Sequence, residues 1–167
     1  KLWTLLDADL LLDSDVISTR LIEAGLVLSG RNPHDRDSQT YKTTYRDPVY
    51  ETMYDVVADN VVSHRSERRR RRSGRQRHFV ICGPFTAECR DAQWPEKLRE
   101  RLGGQCRVEV HYVTCDGLVR RSRMVGRNEA RDQQKVESDT SWSVHMETAS
   151  RERPTFPHHF FDNTKEE

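Results

Sequence analysis

Two carboxylates, Asp7 and Asp9, follow directly on the short apolar run Leu2 to Leu6. That run reads as a buried strand, which puts the pair at a strand's carboxyl end. A carboxylate there can take a proton from a hydroxyl held at hydrogen-bond distance, or it can finish the strand in solvent. Four arginines, Arg121, Arg123, Arg127 and Arg131, lie on and after a segment of helical spacing. Guanidinium groups donate in a planar fork that suits phosphate oxygens and charge spread over a transferring group. Glu129 and Asp132 lie close by, so the same arginines can also form a solvated face of local ion pairs.

Other clusters carry less. Arg68 to Arg72 are five consecutive arginines. Such a run can contact nucleic-acid phosphates or an acidic partner, but no aromatic residues interleave to stack bases. An exposed basic insertion over residues 63–78 is the plainer reading. His158 and His159 stand at the last apolar segment without an evident third metal ligand. Cys82, Cys89, Cys106 and Cys115 form no CxxC pair and no zinc pattern with His78 or His111, so no metal site is expected. Cys82 and Cys115 lie in apolar runs and read as buried small hydrophobes, which suits a reducing, cytoplasmic compartment.

The elements that must position these residues alternate. A helix is expected from Asp13 or Ser14 to about Ala24, with Val16, Ile17, Leu21 and Ile22 as its apolar face and Gly25 as its stop. Gly30 to Thr40 is a polar loop. Asp47-Pro48 opens a helix facing inward through Val49, Met53, Val56, Val57 and Val61 or Val62. Phe79–Cys82 is a strand ending in a Gly-Pro turn. Asp91 to Leu102 is amphipathic through Trp94, Leu98 and Leu102. Arg107 to Cys115 is an apolar strand ending at Asp116. Leu118 to Val125 is a helix, Gly126 to Gln134 a polar loop, Lys135 to Thr148 a further helix, and Pro157 to Phe161 a last strand. Short apolar strands between helices indicate a parallel sheet covered by helices, with chemistry beyond the strands' carboxyl ends.

Composition bounds the rest. The 167 residues are enough for one α/β domain, and a single domain over 1–167 is the expectation. A hydrophobic fraction of 34% against 33% charged residues is polar for an enzyme, so some segments must be exposed. The net charge of +1 argues against a surface that coats nucleic acid. No apolar run approaches membrane-spanning length, so no membrane partner is expected.

Seven motifs occur in order: LLDADLL, NPHDRDSQTY, YRDPVYETMYDVVADN, VICGPFT, VHYVTCD, RSRMVGRNEARDQQK and PHHFFDNT. Together they resemble bacterial P-loop kinase-like proteins of the AAA-family ATPase label, similar to zeta-toxin and chloramphenicol-phosphotransferase kinases. The resemblance implies an α/β, three-layer P-loop NTPase-like fold, with a parallel sheet flanked by helices. It implies ATP and Mg2+ as cofactors and a small hydroxylated acceptor. Asp9, with Asp7 second, then matches the carboxylate that takes the acceptor's proton. Arg127 and Arg131 match the lid most clearly, with Arg121 and Arg123 beside them and Lys135 as a structural or lid contact. Asp35, Arg36, Asp37, Arg46, Tyr50 and Glu51 belong to the region that covers the acceptor; the plainer reading is a surface loop with local ion pairs.

The sequence departs from that pattern in three places. The GxxxxGK[ST] loop that should precede LLDAD is not among these residues. Gly25 to Gly30 has its glycine spacing, but Arg31-Asn32 follows in place of Lys-Ser/Thr. Cys82 stands where the family has an acidic residue, and Arg65 to Arg77 is inserted where the family has a short turn. The expectation is a truncated kinase-type phosphotransferase domain that binds ATP weakly or not at all. The alternative is a non-catalytic module that uses the arginine run for nucleic acid or an acidic partner. In the kinase class the P-loop strand lies between the strands matching Phe79–Cys82 and Val108–Val113. Without it, those two strands should pair directly, in the order Leu2–Leu6, Phe79–Cys82, Val108–Val113, Phe160–Phe161; a sheet split between them is the other outcome.

Overall fold

The computed structural model describes residues 7–70, 77–150 and 153–165, and the side chains of all of these except 62–70 and 150. The chain forms two compact units. One comprises Lys1–Pro84 with Arg99–Cys106, the other Phe85–Leu98 with Arg107–Glu167.

In the first unit, β1 (Leu10–Asp13) leads directly into α1 (Ser14–Leu28), because Asp13 ends the strand and caps the helix. Its carboxylate accepts the Asp15 N–H at 2.9 Å. A polar loop, a short helix Gln39–Tyr41 and a π-turn Lys42–Arg46 lead to α2 (Asp47–Arg70), and β2 (Phe79–Cys82) returns parallel to β1. The register sets Leu10 against Phe79 and Asp13 against Cys82. The core is built from Leu12, Ile22, Leu26, Tyr50, Met53, Tyr54 and Val57, with Leu26 and Met53 fully buried.

Several expectations are corrected here. The anticipated strand Leu2–Leu6 lies outside the described residues, and the strand paired with β2 is Leu10–Asp13. The helix α1 does not stop at Gly25. A side chain there would bring its Cβ within 2.7 Å of the Tyr45 ring, so the glycine admits that ring and the helix runs on to Leu28. Gly30, at φ 69°, makes the turn that follows. Gly25 to Leu28 is therefore helical and no phosphate loop. The face of α1 is also different: Ser14, Ser18, Ile22 and Leu26 point inward, while Val16 and Leu21 are exposed. In α2, Met53 and Val57 are buried as expected, but Tyr50 and Tyr54 complete the buried stripe in place of Val49 and Val56. The tyrosines are larger and bury more surface, so they win the inward positions.

In the second unit, a 3₁₀ turn Glu88–Arg90 precedes α3 (Trp94–Arg101), which belongs to this unit as far as Leu98, and Trp94 packs between Phe85 and Phe156, with ring centroids 5.3 and 5.9 Å apart. The buried Cys89 holds the returning chain, since its carbonyl accepts from both the backbone N–H and the hydroxyl of Thr155. The strand β3 (His111–Thr114) leads through Asp116 into α4 (Gly117–Arg127). The turns Ala130–Asp132 and Gln133–Val136 follow, then α5 (Asp139–Ser150) and β4 (His159–Asp162), which pairs parallel with β3. Met124, Trp142 and Phe156 are buried, but every residue of β4 is exposed. Cys82 is exposed and Cys115 half-buried, against the expectation for both; all four thiols are free.

The strands thus form two separate two-stranded parallel sheets, and β2 and β3 are not paired. The mixed α/β class and the parallel sense stand. The direct pairing of the middle strands does not. That pairing was expected because strands apolar on both faces should not face water. Strands of four residues that are only half-buried, or exposed as in β4, carry no such demand.

Candidate functional site

Within the first unit, polar groups gather where β1 and β2 end. Asp13 and Ser14 leave β1, Asp15 follows in the first turn of α1, and Cys82 and Gly83 leave β2. A Cβ at Gly83 would stand 3.1 Å from the Ser14 hydroxyl and 3.2 Å from the Tyr50 hydroxyl, so the bare glycine lets those two groups close over the strand end. Arg46 stacks on the Tyr50 ring at 4.5 Å and donates to Asp47 at 2.7 Å. Asp15 is exposed at the mouth of this cluster. Although Cys82 is exposed as a residue, local burial pushes its thiol pKa up, and the charges of Asp13 and Asp15 add to the rise. At neutral pH it remains a thiol rather than a nucleophilic thiolate.

Asp9 lies at the other end of the same strand pair. Its N–H donates to the His78 carbonyl at 2.8 Å, and its carboxylate accepts the His78 N–H at 2.9 Å. It therefore latches the start of β1 to the start of β2. Asp7, at φ 48°, sits in the turn before β1. The strand-end carboxylates are instead Asp13 and Asp15, which reading from sequence missed. The signal was present: Leu5-Leu-Asp-Ala-Asp9 is followed six residues on by Leu11-Leu-Asp-Ser-Asp15, and only the second copy has an amphiphilic helix directly behind it.

The acceptor-covering residues divide. Arg46 and Tyr50 come to the strand-end cluster. Asp35 accepts from the N–H groups of Asp37 and Ser38 at 3.1 and 2.9 Å. The Ser38 side chain and backbone hold its carboxyl below the usual range. Arg36 donates to the Pro33 and Asp35 carbonyls, faces Glu23 at 3.8 Å and lies over Tyr41. These two residues fold their own loop, and Asp37 is exposed beside them. Glu51 faces Arg101, which also pairs with Asp55.

In the second unit, the corresponding strand ends carry Asp116 and the Asp162-Asn163-Thr164 turn. Asp116 caps α4 by accepting from Leu118 and Val119, and its own N–H donates to the Thr164 hydroxyl at 2.9 Å. Arg123 reaches the same place, donating to the Asn163 carbonyl at 2.7 Å. Arg121 donates to Asp139 at 2.6 Å, with its guanidinium 5.9 Å from the Trp142 ring centre. Arg127 binds the buried carboxylate of Asp132, which Lys135 also faces at 3.6 Å. Arg131 is half-buried in the turn Ala130–Asp132. All four lid arginines belong to this unit, and Arg121, Arg123 and Arg127 engage the separate acceptors named above. The side chains of Arg68 to Arg72 lie outside the described ones.

Comparison with family models, with curated proteins and with solved structures returned no match to this chain. Among the described residues, no helix is long and apolar enough to cross a membrane.

Proposed function

We propose that the chain is the acceptor-and-lid part of a P-loop kinase-like phosphotransferase that uses ATP and Mg2+ on a small hydroxylated acceptor. The pairing of the strands supports this reading. Parallel pairing of β1 with β2 and of β3 with β4 repeats the neighbours that the resemblance implies, with Leu10–Asp13 in the place of Leu2–Leu6. In the proposed mechanism Asp15 accepts the acceptor's proton, while Tyr50 and Arg46 orient it and Asp13 shapes the turn. Asp9 is assigned to the fold rather than to the chemistry, because its carboxylate is spent on His78. The lid assignment of Arg121, Arg123, Arg127 and Arg131 rests on the resemblance and is made within the second unit alone. A GxxxxGK[ST] loop, which would hold the nucleotide's phosphates, is not among these residues.

Two measurements test this. The 167-residue chain titrated with ATP–magnesium in a calorimeter should give no micromolar binding; tight binding would overturn the assignment of the phosphate loop. The protein as encoded, with whatever flanks these residues, should transfer the γ-phosphate of ATP to a member of a polyol panel. Asp15→Asn should slow that transfer by about 10²–10⁴-fold, and Asp9→Asn should leave the rate per folded molecule unchanged. Failure of the encoded protein to bind ATP would overturn the reading.

A further inference from the structure

We infer that Glu109, His111 and His159 form a binding site for a divalent transition-metal ion of the zinc type. The site lies at the amino ends of β3 and β4, away from the Asp116 and Thr164 turn within the same unit, and it does not depend on the kinase reading. Parallel register places His111 directly opposite His159, so both imidazoles leave the same face of the sheet. Their rings stack with centroids 4.8 Å apart and planes inclined by 23°. Glu109 is two residues upstream of His111, and its carboxylate lies 4.0 Å from the His111 Nε2. The backbone there is fixed, because the His159 N–H donates to the Val110 carbonyl at 2.8 Å. One donor atom from each of the three residues falls within 4.8 Å of the other two.

The donor set selects the ion. Two imidazoles and one carboxylate suit zinc, copper or nickel, whereas magnesium prefers oxygen alone. Bond lengths near 2.0–2.2 Å require tetrahedral ligand atoms to approach to about 3.3 Å. The side chains must therefore close by about 1.5 Å at most, a side-chain rotation for an exposed Glu109 and an exposed His159. Glu109 is held meanwhile by Arg107 at 2.7 Å, but the Arg107 side chain is 78% exposed. Such surface pairs contribute about 0–1 kcal/mol and yield readily to a metal bond. Three protein ligands leave one tetrahedral position for water or a further ligand. Bound there, the ion would cross-link β3 to β4 where the β4 side chains have little packing of their own.

The test is titration of the chelator-stripped 167-residue chain with Zn2+ and, separately, with Co2+. One equivalent should bind. The cobalt complex should show d–d absorption without the near-ultraviolet band of thiolate ligation, which separates this site from the free cysteines. His159→Ala and Glu109→Gln should each weaken binding at least about tenfold, with unchanged far-ultraviolet circular dichroism, while His34→Asn in the other unit should bind as wild type. Zinc should raise the wild-type melting temperature and leave that of His159→Ala unmoved. A thiolate band, affinity no better than millimolar, or undiminished binding by folded His159→Ala would each overturn the inference.

Discussion

The two strand pairs are built alike and finished differently. Each is parallel, each first strand runs through an aspartate into a helix, and that aspartate caps the helix: Asp13 for α1 and Asp116 for α4. The difference lies in burial. Leu12 of β1 is buried over a unit whose core includes the fully buried Leu26 and Met53, whereas β4 is exposed along its length. The first pair adds the buried Leu12 to its Asp9–His78 latch, whereas the second rests more on polar ties at its ends. Those ties are Asn163 N–H to Thr114, Asp116 N–H to the Thr164 hydroxyl and Arg123 to Asn163 at one end, and His159 N–H to Val110 at the other. One topology can therefore rest on either kind of support.

Truncation should separate the two most widely. Met53→Ala removes a fully buried side chain and should cost about 2–5 kcal/mol. Phe160→Ala, at a residue 57% exposed, should cost about 0.5 kcal/mol or less. Urea unfolding of both variants measures this, and equal losses would erase the contrast. The caps should behave alike across it. Asp13→Ala and Asp116→Ala should each cost about 1 kcal/mol by the same measurement, since each removes one carboxylate that accepts N–H bonds at a helix start.

The smallest effect is a pH dependence, to which Cys82 and Asp35 of the first unit contribute in opposite directions. The Cys82 thiol is raised, so the folded state holds its proton after the unfolded chain has begun to lose it. Its contribution to stability is complete below the unfolded thiol value, about 8.5, and disappears as pH rises through the folded one. Asp35 runs the other way. Its carboxyl is lowered, so its contribution is present above the unfolded value and is lost as pH falls through the folded one. Melting curves of Cys82→Ser and Asp35→Asn against wild type should converge at the alkaline and acid ends respectively. Iodoacetamide should label Cys82 more slowly at pH 8 than it labels a free cysteine.

Element types were legible where a single physical signal dominated. Asp47-Pro48 marks a helix start, Phe79–Cys82 is a strand at the expected residues, and Asp116 ends β3 where an aspartate after an apolar run should. The first strand was hidden because the sequence holds two Leu-Leu-Asp-x-Asp copies and apolar content alone does not rank them. The inward face of α1 was hidden for another reason. Serines at 14 and 18 lie on the packed side, where close approach matters more than hydrophobicity, and Gly25 gives way to a ring from Tyr45 that no local pattern announces. Of the candidate site, the arginines of α4 could be named from sequence, but not the acceptors that hold them. The Glu109, His111 and His159 cluster depends on a register joining residues 48 positions apart.

Because Arg127 is paired with Asp132, any anion brought to it would have to enter by substitution. An incoming group must displace a carboxylate that is itself only 5% exposed and shared with Lys135. A singly charged visitor offers nothing better than the resident, so acetate or chloride should pass by. A dianion that engaged Arg127 and Lys135 together would take both of these partners from Asp132. In the proposed phosphotransfer, Asp132 is therefore the group that a phosphate has to displace at Arg127.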